Sequence, residues 1–529
     1  MDVLAACNIG EVAFMNTVDY TSSASLPLNG SSSLLIRNTT LLASKEPSGL
    51  VHGQDILVVD NYIEAVGPTG TLDASVSAPQ TILEAQGLLT IPGLINAHTH
   101  SPENLLKATS RSLPLELWLI PLFVGMEEWT PRLVYLSALL GAVEMLKTGT
   151  TAVLDHLWTP QGIATAYLDA AMQAYSDAGI RASVAPSIED QDLVQDAAST
   201  HGLPLPPHPF LDRFASWPTL DVQLGEMDRF LSTWHMAAGG RLRCLVAPSG
   251  IHWCSPALLR TCQSLAEQFQ TGLHLHAVET ELQAHVIRDT LGQGGIAYLE
   301  TLGFLRPGTS LAHAIWLEQD DLERLASSGA TVVHNPVSNL RLGSGRFPFV
   351  SARQLGVSVA LGSDGSASND NQNMFEVIKL TGLMHNTPGY SYREWPGPVE
   401  ILDAATCGGA AAMGMPTKLG QIAPGQLADL VLLDLRSTAF TPLRDPYLHL
   451  VYCESGQSVT TVIVDGKVVV EQGVVLSVDE QALRQEVLER CATIWPGEVA
   501  RLESVAHTGE VQATFDALSR LLLHGEKTL

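Results

Sequence analysis

Short apolar runs bounded by turn residues dominate both ends of the chain. From about residue 33 they read "SLLIRNTTLLAS", "DILVVDNYIEAVG" and "TILEAQGLLTI"; similar runs return late as "ADLVLLDL" (428–435) and "VTTVIVDGKVVVEQG" (459–473). Runs of this length, rich in Val, Ile and Leu and punctuated by Gly, Asn and Asp, predict β-strands, and Asp465-Gly466 predicts a hairpin turn. Alternating strands need partners. The two ends are therefore expected to pair into one small β-sandwich, 33–90 with 416–480, with everything between them inserted. Residues 1–32 ("TSSASLPLNGSSS" toward their end) predict a loose extension, and 481–529 a C-terminal helical segment.

Between the ends, eight apolar runs alternate with helix-like stretches: "LLTIPGLINAHTH", "TTAVLDHL", "RASVAPSI", "LRCLVAPSG", "GLHLHAV", "TSLAHAI", "ATVVHNPV" and "VSVALGSDG". Amphipathic segments such as "PRLVYLSALLGAVEMLKTG" (131–149) and "SPALLRTCQSLAEQFQ" (255–270) separate many of them, the latter with a Ser-Pro helix start. This alternation predicts an α/β fold, a (β/α)8 TIM-like barrel over 91–415. Seven of the eight runs reach a polar cluster near their C-terminal ends: His98/His100, Asp155/His156, Ser249, His274/His276, His313, His334/Asn335 and Asp364. The C-terminal face is where such barrels build active sites. A core strand has no packing reason to end in histidine.

The spacing suits a metal ion. Residues i and i+2 of a strand face the same way, so His98 and His100 present two imidazoles on one side of one strand end, and His274 and His276 do the same on another. Asp364, in "LGSDGSASND", adds a carboxylate. Zinc and similar divalent ions accept imidazole nitrogen and carboxylate oxygen. Glu279, just past its strand end, can exchange protons with a bound substrate or serve as a helix N-terminal charge. His313 in "AHA" is placed to contact an attacking water or to play a structural part.

Composition narrows the class of partner. With 29 basic against 55 acidic residues, the net charge of −26 repels phosphate backbones, so neither nucleic acid nor an anionic membrane is an expected partner. No apolar run reaches the roughly 20 residues that span a bilayer. The first twenty residues carry no basic segment leading an apolar one, and the seven scattered cysteines form no Cys-x-x-Cys. A cytoplasmic enzyme with reduced thiols is expected, not a zinc finger or a cysteine-ligated deaminase.

"PGLINAHTH", "HLHAVET", "AHA", "HNPVSNLRLGSG" and "LGSDGSASND", met in this order, resemble the motifs of the amidohydrolase superfamily. Within it they are similar to the group of S-adenosylhomocysteine/methylthioadenosine deaminases and triazine and chlorohydrolase enzymes, over about residues 33–475. The resemblance implies one divalent metal, usually Zn2+ with Fe2+ or Mn2+ as alternatives, on His98, His100, His276 and Asp364. It places the ligand on the second histidine of "HLH", leaving His274 a neighbour. It also implies a proton shuttle at Glu279, a hydrogen bond from His313 to the attacking water, and substrate contacts at Trp118 and Ser368. A small-molecule heterocyclic substrate is expected, and a homo-oligomer (dimer or tetramer) is compatible with it. Many nucleoside-type members carry a histidine in a Pro-His-x-Pro segment after the fourth strand. Here Ser249 stands there, which favours free bases, pteridines or triazines over adenosine derivatives. The region near 190–235, with "HGLPLPPHPFLDRFASWP" (201–218) inside it, matches no motif and reads as a substrate-side loop.

The expected activity is hydrolytic deamination of a nitrogen heterocycle (purine, pteridine, pyrimidine or triazine) with release of ammonia. The alternative is a hydrolase of the same family acting on a C–Cl, N-alkylamine or cyclic amide bond. A non-catalytic metal-binding relative would lack an acid/base group, yet Glu279, His313 and Asp364 are all present.

Overall fold

Strands from both ends of the chain share one sheet. The computed structural model describes residues 32–43, 49–72, 81–109, 112–159, 162–203, 211–213, 217–506 and 509–524; the expected N-terminal extension lies outside them, apart from Ser32. The shared sheet holds β1 (Ser33–Leu42), β2 (Leu50–Val59), β3 (Tyr62–Pro68), β4 (Thr81–Glu84) and β5 (Leu88–Pro92) from the N-terminal side. From the C-terminal side come β15 (Leu430–Asp434), β16 (Val459–Val464), β17 (Lys467–Glu471) and β18 (Val474–Val475). Its order is β18-β17-β16-β15-β5-β1-β2-β3, with β4 beside β1. β15 runs antiparallel to both β5 and β16 and so splices the two ends together. The turn between β16 and β17 is at Asp465-Gly466, both residues at positive φ (53° and 75°), as a two-residue hairpin turn demands.

The period of two in "LVLLD" explains why this sheet is covered on both faces. Leu430 and Leu432 pack with Ile36, Ile56 and Ile463, whereas Val431 and Leu433 join the large core beneath the intervening segment. That segment curls a second, parallel sheet from β6 (Leu94–Thr99), β7 (Thr150–Leu157), β8 (Arg181–Ile188), β9 (Leu242–Cys244), β10 (Ala247–Pro248), β11 (Leu273–Ala277), β12 (Thr309–His313), β13 (Thr331–His334) and β14 (Ser358–Leu361). All eight apolar runs enter it, the fourth divided into β9 and β10. It consists of the ladders β10-β8-β7-β6, with β9 on β8, and β11-β12-β13-β14. Bridges at Val246–Leu273 and Gly250–His276 join them on one side. On the other, the Asp364 amide donates to the His98 carbonyl at 2.9 Å.

Polar clamps tie the layers. Arg181, on β8 and 1% exposed, meets Asp429 through Nε at 2.7 Å and Nη2 at 2.9 Å, and Asp465 through Nη2 at 2.9 Å. The helix Pro256–Gln268 starts at Ser255, whose hydroxyl accepts the Leu258 N–H at 3.2 Å, the cap that the Ser-Pro start predicts. Two C-terminal helices, Glu480–Ala506 and Gly509–His524, lie against the outside. Phe515 and Leu518 of the second are buried with Ile120, Leu193, Leu282 and Val286. Cys244, Cys254 and Cys262 are buried free thiols. Among the described residues no helix is long and apolar enough to cross a membrane.

Candidate active site

Three strand ends bring histidines to one point, and a fourth brings a carboxylate. His98 and His100 leave β6, His156 leaves β7, His276 leaves β11, and Asp364 follows β14. The Nε2 atoms of His100 and His276 are 3.3 Å apart, and Asp364 Oδ1 lies 3.4 Å from His98 Nε2 and 3.2 Å from His100 Nε2. Each of the three rings is tethered through its other nitrogen. His100 Nδ1 donates to the His156 carbonyl at 2.7 Å, and His276 Nδ1 to the Ser249 carbonyl at 2.6 Å. His98 Nδ1 lies 2.8 Å from His274 Nε2, while His274 Nδ1 lies 2.7 Å from Ser310 Oγ. The Ser310 hydroxyl donates to the Leu273 carbonyl at 3.3 Å, so its oxygen accepts from His274, and His274 Nε2 accepts from His98. Both nitrogens of His274 are thus engaged. It braces His98, and of the two histidines of "HLH" it is His276 whose Nε2 stands beside that of His100.

The donor set fits a divalent ion. His98 Nε2 is fully buried with no hydrogen-bond partner, a lone pair aimed at the other donors. Burial opposes protonation of His100, but Asp364 and Glu103 override it and push the ring up to about 9. Burial holds His98 down at about 4. Burial would also raise Asp364, yet the His100 and His98 rings beside it hold its carboxyl well below the usual range. Nitrogen tethers of this kind fix tautomer and ring orientation at metal sites.

Beside these groups stand Glu279 and His313. Glu279 is buried; its Oε1 accepts from Ser344 Oγ at 3.1 Å, and its Oε2 lies 3.5 Å from His313 Nε2. Burial pushes its carboxyl up to about 7, against the pull of His313. His313 Nδ1 donates to Asn339 Oδ1 at 2.8 Å, leaving Nε2 to face Glu279 and, at 3.7 Å, Asp364 Oδ2. Val278, His313, Ala314 and Asp364 all have positive φ (40°, 70°, 47° and 64°), which is costly for non-glycine residues and here gathers at the strand ends that carry the chemistry.

An open cavity leads to this centre; Trp118, Trp158, Trp217 and Trp253 supply its aromatic wall, with Glu279, His313 and Asp364 at its floor. Trp118 thus lines the cavity. Ser368 does not: its hydroxyl donates to the Gly365 carbonyl at 3.2 Å within its own short helix. The neighbouring Asn369 likewise spends its side-chain N–H on the Ser363 carbonyl, at 2.8 Å. Several lining residues were not singled out from the sequence. Glu103, 1% exposed, accepts from Trp158 Nε1 and from the Ala367 amide, both at 3.3 Å. Gly365 makes room for it, since a Cβ there would fall 1.9 Å from the Glu103 carboxylate. The position of Glu103, three residues past His100 on the loop leaving β6, was the available signal. Arg213, from the unplaced 201–218 stretch, enters the wall held by Glu189 at 2.7 Å and Asp192 at 3.1 Å. Trp217 of the same stretch lines the cavity, so its described part is substrate-side.

Known proteins share this arrangement of chain. The description of the Amidohydrolase family matches residues 89–469. A 5-methylthioadenosine/S-adenosylhomocysteine deaminase of Nitratidesulfovibrio vulgaris is 35% identical over 457 residues, covering 86% of this chain and 96% of that protein. The crystal structure of an adenosine deaminase from Xanthomonas campestris with bound zinc superposes with a TM-score of 0.76 at 27% identity, over 89% of this chain and 99% of that one. An atrazine chlorohydrolase from Arthrobacter aurescens TC1, complexed with zinc, gives a TM-score of 0.77 at 25% identity, over 86% of this chain and 99% of that one. The alternation of strands, the histidine-ended strand tips and these matches lead to one conclusion: the chain belongs to the amidohydrolase family.

Proposed function

We propose that the protein is a metal-dependent hydrolytic deaminase of a nitrogen heterocycle, most simply the adenine ring of an adenosine-type nucleoside. The observation that carries this reading is the buried Glu279 carboxyl on the cavity floor, 3.5 Å from His313 and beside a converging set of histidines and Asp364. A carboxyl pushed up to about 7 holds a proton that it can give to a ring nitrogen. Relatives named for adenosine-type substrates support the purine. Against the purine nucleoside stands the expectation drawn from Ser249, whose hydroxyl bonds with Ser187 Oγ at 2.6 Å and the Ile188 carbonyl at 3.1 Å; the adenosine-type names of the relatives outweigh it.

His98, His100 and His276, through Nε2, and Asp364 would hold one divalent ion, which we take to be zinc. When bound, such an ion supplies Lewis acidity that brings the pKa of water toward neutrality. Asp364 Oδ2 accepts a proton from the attacking water, and His313 Nε2 accepts its remaining hydrogen and fixes its direction. Ser344 pins one oxygen of Glu279, so the other faces the substrate. Glu279 protonates the ring nitrogen next to the reacting carbon. A C–O bond forms, Asp364 passes the proton it took from water to the amine, the C–N bond breaks and ammonia leaves, and the proton of the added hydroxyl returns to Glu279 as the carbonyl forms. The tryptophan wall suits a flat ring.

The same reading closes the curled sheet into a (β/α)8 barrel over 91–415, carried by a β-sandwich domain of 33–90 and 416–480 in a cytoplasmic enzyme. A second reading, removal of a non-amine group as in the triazine enzymes, is favoured by the likeness to atrazine chlorohydrolase. Ammonia and chloride release across adenosine derivatives, free purines, pteridines and chlorotriazines separates the two. Ammonia from an adenosine derivative as the best substrate supports the proposal; chloride release without ammonia overturns it.

A further inference from the structure

His156 lies on β7, 0% exposed, and neither of its ring nitrogens has a hydrogen-bond partner. A buried imidazole with two unsatisfied nitrogens is a costly choice for packing alone. Phenylalanine, leucine or methionine would fill the space without burying polar atoms. The ring is nevertheless well placed. It stacks on His276 with centroids 4.6 Å apart and planes 23° from parallel, and its centroid is 5.7 Å from that of His100. Ligand nitrogens of His98, His156 and His276 all lie within 4.8 Å of one another, a triad that shares His98 with the set of His98, His100 and Asp364. Every other histidine around the centre has a tethered nitrogen; His156 keeps both ring nitrogens, one N–H and one lone pair, uncommitted.

We propose that His156 is a further protein donor to the divalent ion, so that this centre offers four imidazoles and one carboxylate. The inference rests on the metal centre proposed above. A donor set this rich in imidazole selects nitrogen-preferring ions such as Zn2+, Co2+, Ni2+ or Fe2+ over Mg2+ and Ca2+. It also gives the metal a binding contribution that the sequence motifs do not contain, since the residue sits on a strand whose end carries no His-x-His.

The test uses full-length wild type, His156→Gln and His156→Phe, each freed of metal by chelator dialysis. Zn2+ affinity is measured by competition with a chromophoric chelator, the Co2+-loaded forms by visible absorption, and the metal-free forms by Tm. We expect Zn2+ affinity to fall at least about tenfold in both variants. The Co2+ bands should intensify and shift as the coordination number drops. The metal-free Tm of His156→Phe should equal or exceed that of wild type, because an unsatisfied polar group has been removed. Unchanged Zn2+ affinity with an unchanged Co2+ spectrum overturns the inference. So does a loss of affinity that merely follows a lowered metal-free Tm in both variants. If wild type itself binds no divalent ion, this inference and the metal centre fall together; if wild type binds and the variants bind equally, only this inference falls.

Discussion

His274 Nε2 sits 2.8 Å from Nδ1 of His98 and passes the orientation of Ser310 on to it. The contact fixes which nitrogen of His98 is bare. His274→Ala should therefore weaken divalent-ion affinity by roughly 10–100-fold while the fold persists. Chelator competition on the purified variant measures it. Affinity equal to wild type would show that His98 needs no brace.

The donors themselves give a stronger effect. A His98→Ala/His100→Ala protein should retain far less than the metal content of wild type by elemental analysis. Full retention would remove these histidines from the ligand set.

Glu279→Gln should keep metal and fold but lose about 10²–10⁴-fold in turnover, since Gln cannot give up a proton. A pH signature accompanies it. Acid catalysis needs the protonated carboxyl, so kcat/KM should fall as pH rises through about 7, and that limb should vanish in the variant. Stability moves the same way. A carboxyl raised above its unfolded value binds its proton more tightly when folded, so metal-free wild type loses stability between about pH 4.5 and 7, by about 3 kcal/mol in all. Glu279→Gln escapes this loss and should melt higher than wild type at pH 8. Melting curves of the metal-free proteins at pH 5 and pH 8 decide it.

Arg181 is the clamp between the curled sheet and the shared terminal sheet. Arg181→Met leaves the buried Asp429 and the half-buried Asp465 without their cation and should cost about 3–5 kcal/mol. Adding Asp429→Asn should recover part of it. Urea titrations of the single and double variants are the measurement, and an unchanged midpoint would make the clamp ornamental.

Cutting the chain at about residue 420 removes β15, β16 and β17, and with them the antiparallel partner of β5. The product should be insoluble or non-cooperative in melting. A soluble, active truncation would make the C-terminal strands a detachable module.

The elements legible in the sequence were those written in local periodicity. Apolar runs ending in "HTH", "HLH" and "SDG" announced their strands and their facing side chains, because period two and a strand end need no knowledge of neighbours. What could not be read depended on contacts between strands. A period of two puts His274 and His276 on one face, and only the hydroxyl of Ser310, on the next strand, turns one of them away from the centre. Ser368 looked like a substrate contact until its own helix turn captured the hydroxyl. Glu103 and Arg213 reach the cavity through a loop and a stretch without any repeating pattern. His156 was seen as a polar strand end, but its lack of a hydrogen bond is visible only in three dimensions.

Two of the tethers on the histidines are main-chain oxygens: the His156 carbonyl holds His100, and the Ser249 carbonyl holds His276. A carbonyl stays in place whatever side chain its residue carries. Position 249 lines the cavity, so its side chain can be exchanged for a larger, charged or hydrogen-bonding group without loosening the ring that depends on the same residue. Inheritance of the chemistry and choice of substrate are thus carried by different atoms of one amino acid, which leaves the scaffold free to diversify its diet while its reactive centre stands still.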